Sequence, residues 1–134
     1  MYDFNNCNGL NEKNEFITYI FELELIKSVD EVKEFMRNNS SPYVFQCDEP
    51  KTIRFEWFLS EDEKHATLIE MFEGSDAAKL RLEHHSASHL INEFPEHFNI
   101  KSFRVLGNVK TDMRESLADW EADIRSYTGG FFKL

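Results

Sequence analysis

A chain of 134 residues with 41% apolar content is one domain's worth of protein, long enough to bury a core without metal or disulfide staples. A net charge of −10 excludes the concentrated basic surface that nucleic-acid binding needs, and it works against anionic membranes. No run approaches the roughly 18 apolar residues of a membrane-spanning helix.

Residues 1–14 are polar and have neither a basic n-region nor an apolar run. We expect a flexible leader there, no signal peptide, and a cytoplasmic protein whose single domain covers 15–134. Cys7 and Cys47 lack CxxC spacing and are expected to be free thiols. The 13 Phe predict a core that either fills itself or encloses a flat apolar ligand.

Phe16–Leu25 reads as the first strand. Ile17, Tyr19, Phe21, Leu23 and Leu25 share one face, while Phe16 and Ile20 make the other face partly apolar. Such a strand is expected to be central and covered on both sides. Ser28-Val29-Asp30-Glu31 is a capping box, opening a helix with Val29, Val32, Phe35 and Met36 inward. Asn38–Pro42 is expected to end it, with an irregular segment following at Tyr43–Asp48.

Glu49–Glu73 reads as a hairpin. Ile53, Phe55, Trp57 and Leu59 share a face, and Arg54, Glu56 and Phe58 share the other. An even loop setting Ser60 opposite His65 pairs Trp57 with Leu68 and Phe55 with Glu70. One carboxylate then stands on an apolar face beside Phe72. An odd loop would turn Glu70 to the other side.

A second helix is expected over about Asp76–Phe94, stopped by Pro95 and carrying His84, His85 and His89. Ile100–Gly107 is the fourth strand. Thr111 is expected to cap a last helix with a Met113, Leu117, Trp120, Ile124 stripe. Gly129-Gly130 releases an apolar tail suited to an edge strand or a partner.

The predicted fold class is therefore α+β: a ferredoxin-like split β-α-β with a four-stranded antiparallel sheet and an extra C-terminal helix. Two helices on one side of the sheet leave the other side free. Its apolar part predicts a homodimer packed through sheet faces.

The hairpin also carries a resemblance. Glu49, Pro50, Thr52, Glu56, Trp57, Phe58, Ser60, Glu61 and Asp62 match, in order, a motif of the antibiotic biosynthesis monooxygenase family, whose fold is the dimeric α/β barrel. Glu70 takes the glutamate position of the family's next strand. Gly107, Arg114, Glu115, Leu117 and Gly129-Gly130-Phe131 continue the likeness, which covers residues 16 to 132. Lys51, Phe55 and Leu106 depart from the pattern, and Arg81 stands where the family often has a histidine. The resemblance implies a small homodimer with one pocket per subunit between sheet and helices. It implies oxidation of a phenol or quinol by molecular oxygen, without a metal or organic cofactor. Some relatives break down haem with an Asn, Trp, His set, but the first strand here has no Asn.

The candidate catalytic residues are His85, His89 and Glu70, and Trp57, Phe55, Arg81 and Phe72 are the candidate substrate-binding residues. His85 and His89 have the i, i+4 spacing of a metal pair. No HExxH pattern accompanies them, and no metal is expected. Glu70 on an apolar face would either pair with Arg81 or a histidine, or have a raised pKa suited to acid–base work. Glu56 with Arg54 reads as a surface pair, and Trp57 as core or substrate wall. No GxSxG, P-loop or GxGxxG motif supports hydrolase, NTPase or dinucleotide chemistry. The expected function is a cofactor-independent monooxygenase acting on a small aromatic. The alternative is a non-catalytic small-molecule-binding or regulatory dimer on the same fold.

Overall fold

The computed structural model describes residues 5–133. Its centre is β1 (Ile17–Leu25), flanked in the order β2-β3-β1-β4-β5. β2 (Thr52–Leu59) and β3 (His65–Phe72) form the hairpin, and β4 (Phe98–Leu106) pairs with β1 on its other side. Ile17, Tyr19, Phe21 and Leu23 are buried, as period two requires. Helices cover this face, and the Tyr19 hydroxyl donates to the Ala78 carbonyl at 2.7 Å, fastening strand to helix.

The hairpin has the even register: Phe55 lies opposite Glu70 and Trp57 opposite Leu68. Ser60 holds the turn, its N–H donating to the His65 carbonyl at 2.9 Å. Ile53 departs from expectation. The register slips between Thr52 and Arg54, and Ile53 is exposed. A similar slip explains the mixed faces of β4. Glu22 and Leu23 lie opposite Ser102 and Ile100, so Lys101 is an extra residue. Such a bulge reverses the alternation, and burial passes from Phe98 to Phe103 and Val105.

The sheet has five strands, not four. β5 (Asp123–Arg125) runs parallel to β4, with Ile124 opposite Val105. The stripe expected of one final helix therefore divides. α5 (Thr111–Leu117) carries Met113 and Leu117, and a tight turn over Ala118–Trp120 carries the tryptophan. Glu121, at φ 53°, then turns the chain into β5. Thr111 is the first residue of α5 and not its cap; the preceding Lys110 N–H instead donates to Ser75 Oγ at 3.1 Å.

Two further helix boundaries differ from expectation. The capping box does open α1 (Val29–Phe35): Ser28 Oγ accepts from the Glu31 N–H and donates to the Glu31 carboxylate. The chain does not stop at Pro42, however. A wide π turn over Met36–Ser40 passes it into α2 (Ser41–Gln46). Pro42 has no N–H and would break a continuing α-helix, but it is acceptable in the first turn of a new one. Ser40 Oγ donates to the Met36 carbonyl at 3.4 Å inside the wide turn.

The expected Asp76–Phe94 helix is two helices, α3 (Ser75–Ser86) and α4 (Leu90–His97). Ser88 makes the break. Its hydroxyl donates to the His85 carbonyl at 2.9 Å and accepts from the Leu90 N–H at 3.1 Å, which ends one helix and begins the next. Pro95 lies inside α4, which ends two residues later.

The tail forms no strand among the described residues. It lies against residue 11, exchanging two hydrogen bonds between Asn11 and Gly130, and the Phe132 ring meets Phe16 at 5.3 Å. Of the leader, Tyr2 and Phe4 lie outside the described residues. Cys7 and Cys47 are free thiols. Among the described residues no helix is long and apolar enough to cross a membrane.

Candidate functional site

Between the covered face of the sheet and the helices is a cavity walled mainly by aromatic and aliphatic side chains. The strands supply Phe21, Phe55, Trp57, Leu68 and Glu70. α3 supplies Arg81, Leu82 and His85, and α4 supplies Leu90 and Phe94. Ser40 and Val44 come from the wide turn and α2, and Trp120 closes one side. About 440 Å³ of atom-free space lies here, its mouth included, but only about 30 Å³ of it admits the centre of a water molecule. The cavity is therefore tight, with room for about two water molecules, and even a one-ring ligand requires side chains to move.

Glu70 reaches the cavity because β3 alternates: Ala66, Leu68, Glu70 and Phe72 share the covered face. Its carboxyl is buried and makes no hydrogen bond within the described chain. Burial pushes its pKa up from 4.5 to about 7; the Arg81 guanidinium restrains the rise, and the Glu49 carboxylate adds to it. Arg81 does not pair with Glu70, as the sequence suggested. Its Nη1 donates to Glu49 Oε2 at 2.7 Å, and His84 Nδ1 meets the same oxygen at 2.7 Å. The side chains of Arg81 and Glu49 are both almost fully buried. Arg81 Nη2 and Trp57 Nε1 are buried without a hydrogen-bond partner among the described residues.

His85 turns its ring towards Trp120 and Phe94, with centroids at 5.4 and 5.9 Å. Burial, aided by the Arg81 charge, lowers its pKa from 6.5 to about 4, so the imidazole is neutral at physiological pH. The Tyr19 hydroxyl is pushed well above its usual range by burial and then by Glu70. It is a fixed donor, not an acid. The polar residues that line the cavity are thus Glu70, its carboxyl poised near neutrality, His85, its imidazole neutral, Arg81 and Ser40.

Five of the seven candidate residues come together here: Glu70, His85, Trp57, Phe55 and Arg81. His89 does not line the cavity. The break at Ser88 removes it from the helix of His85, so the expected i, i+4 pair does not exist. His89 Nε2 meets Asn39 Oδ1 at 2.7 Å on the exposed side, and Glu93 lies at 3.4 Å. Phe72 is wholly buried in the core, against Tyr19 at 4.8 Å, and does not reach the cavity. Arg54 and Glu56 form the expected exposed pair.

Sequence reasoning missed the Glu49 partnership and the Phe21, Phe94 and Trp120 walls. Phe21 was legible, because it shares a face with Tyr19 on a strand beside β3. Glu49 carried only a motif match, and nothing local links it to Arg81.

No protein-family model matches the sequence, and no curated protein matches it. Solved structures do match. MupZ from Pseudomonas fluorescens aligns with a TM-score of 0.73 at 12% identity, over 91% of this chain and 92% of that one. SnoaB, described as a cofactor-independent oxygenase from Streptomyces nogalater, aligns with a TM-score of 0.55 at 12% identity, over 72% of this chain and 96% of that one. The structural-genomics protein YJCS aligns with a TM-score of 0.51 at 23% identity, over 72% of this chain and 100% of that one. At these identities the likeness is one of fold. The chain has an α+β, ferredoxin-like fold that it shares with these structures.

Proposed function

We propose that the chain is a cofactor-independent monooxygenase of the antibiotic biosynthesis monooxygenase family that oxidises a small phenol or quinol with molecular oxygen. The observation that carries this reading is the Glu70 carboxyl. It is held near pKa 7 in an aromatic-walled cavity that Arg81 also lines, and the Arg81 charge acts on it. A base is most effective when its pKa lies near the working pH.

The reaction asks little of the protein. Glu70 takes the phenolic proton, and Arg81 Nη2 and Trp57 Nε1 donate to the resulting oxyanion. The electron-rich ring reduces O2, a C–O bond forms, and the peroxide loses water. Phenol plus O2 gives quinone plus water, so atoms and electrons balance without another reductant. Neutral His85 lines the same cavity, and Phe55, Phe21 and Phe94 exclude water from the anion. Side chains must move to admit even one ring, and so narrow an interior favours a small phenol over a porphyrin.

Oxygen consumption by chelator-treated protein across a panel of phenols, naphthols and quinols tests this. We expect substrate-dependent uptake, with one atom of labelled O2 in the product. Ligand binding with no uptake anywhere in the panel would replace this reading with that of a non-catalytic binding dimer.

We further propose that the working unit is a homodimer formed through the uncovered sheet face, where Ile20, Ile69 and Met71 are only half-buried in the single chain. Sedimentation equilibrium should give twice the chain mass. An Ile69→Lys variant should be monomeric, and a parent that sediments as a monomer at micromolar concentration would refute the dimer.

A further inference from the structure

We propose that Cys47, Glu49 and His84 form a binding site for a borderline-soft divalent cation of the zinc class. None of the three lines the aromatic cavity, so the site is separate from it and does not rest on the oxygenase reading. One ligand atom from each side chain lies within 4.8 Å of the other two. Thiolate, carboxylate and imidazole together are a donor set that zinc accepts and that magnesium or calcium would not choose.

The backbone fixes two of the donors before any ion arrives. The Cys47 N–H closes α2 on the Tyr43 and Val44 carbonyls, and the Glu49 N–H returns to the Cys47 carbonyl at 2.9 Å. The Thr52 N–H then bonds the Glu49 carbonyl at 3.1 Å across Pro50. The third donor comes from α3, a rigid element 35 residues on. Cys47 and Glu49 also border an open groove beside β2, and the His84 side chain is one-third exposed. Water can therefore reach the fourth position that three protein ligands leave free.

Ligands around a tetrahedral ion with bonds of about 2.0–2.3 Å sit about 3.5 Å apart. His84 and Glu49 are closer than that, at 2.7 Å, because a proton now joins them. A cation would take the place of that hydrogen bond, with the His84 proton moving to Nε2 and the thiol proton released to solvent, so binding should strengthen as pH rises. Arg81 opposes the ion, since its Nη1 holds Glu49 Oε2. The other carboxylate oxygen, Oε1, accepts from the Thr52 hydroxyl at 3.3 Å, a longer bond than the one from Arg81. The thiolate and carboxylate together carry two negative charges, which match a divalent ion but leave the Arg81 charge over, so the guanidinium weakens the site.

Titration of the full chain with Co2+, followed by displacement with Zn2+, tests the site. A Cys7→Ser background removes the other thiol. We expect one equivalent bound, with thiolate-to-cobalt charge-transfer absorption. The absorption should vanish in Cys47→Ser, and affinity should fall at least tenfold in His84→Gln. Zn2+ should also slow alkylation of Cys47 in the background protein, a readout that leaves the site intact if a variant misfolds. The proposal is overturned if the charge-transfer band is absent, if it survives Cys47→Ser, if His84→Gln binds as tightly as its parent, or if Zn2+ leaves alkylation unchanged.

Discussion

Arg81→Met is expected to destabilise the protein by about 3–5 kcal/mol, because it strands the buried Glu49 carboxylate without its guanidinium. At roughly 3–5 °C per kcal/mol for a domain of this size, the melting temperature should fall by roughly 10–20 °C. Glu49→Met should cost a similar amount for the mirror reason, leaving Arg81 buried and uncompensated. The double variant Glu49→Met/Arg81→Met should be far less damaging than the sum of the two, since it removes both charges and fills the space with apolar atoms. A urea-denaturation cycle measures this. Additive losses, or a single-variant loss under about 1 kcal/mol, would mean that the pair is not an isolated buried couple. The pair matters for the site as well as for stability. Glu49 holds Nη1 and thereby fixes where the unpartnered Nη2 lies in the wall of the cavity.

The parts of this site that could be read from the sequence are those set by alternation. β3 has a period of two and a turn of defined length, so Glu70, Leu68, Trp57 and Phe55 were bound to share a face once the register was even. The fold followed from the same strands and from the Ser28 capping box. Signals that were ambiguous or non-local were harder to read. Pro42 looks like a stop, but a proline also begins helices, and only the wide turn before it decides between the two. Ser88 gives no breaker signal of the Gly or Pro kind. Its hydroxyl still divides one expected helix in two and carries His89 away from His85. Ile124 continued a helical stripe, but tertiary pairing with Val105 made it a strand residue. The Glu49–Arg81–His84 cluster joins positions more than thirty residues apart, and no periodicity encodes that.

Glu70→Gln should raise stability at neutral and alkaline pH while removing the proposed base. The folded protein keeps a proton on Glu70 up to about pH 7, whereas the unfolded chain releases it near 4.5. Folding therefore takes up a proton between those values. The stability this group contributes is complete below about pH 4.5 and is lost as pH rises through 7. The span corresponds to roughly 3 kcal/mol at about 1.4 kcal/mol per pH unit. His85 works in the opposite direction. Burial keeps it neutral, so its own contribution grows as pH rises from about 4 to 6.5. The two slopes oppose each other in the parent, and a flat pH profile there would hide both. Comparing Glu70→Gln with the parent at each pH separates them, because His85, Arg81, Glu49 and Tyr19 face position 70 in both proteins. The variant should match the parent near pH 4.5 and exceed it by roughly 3 kcal/mol above pH 7. A constant difference across that range would show that Glu70 is ionised in the folded state throughout. Oxygen uptake at pH 8 should fall by about a hundredfold or more in the same variant, as expected when a positioned base is lost. Full uptake with the altered stability profile would keep the buried, proton-holding carboxyl and show that Glu70 is not the base.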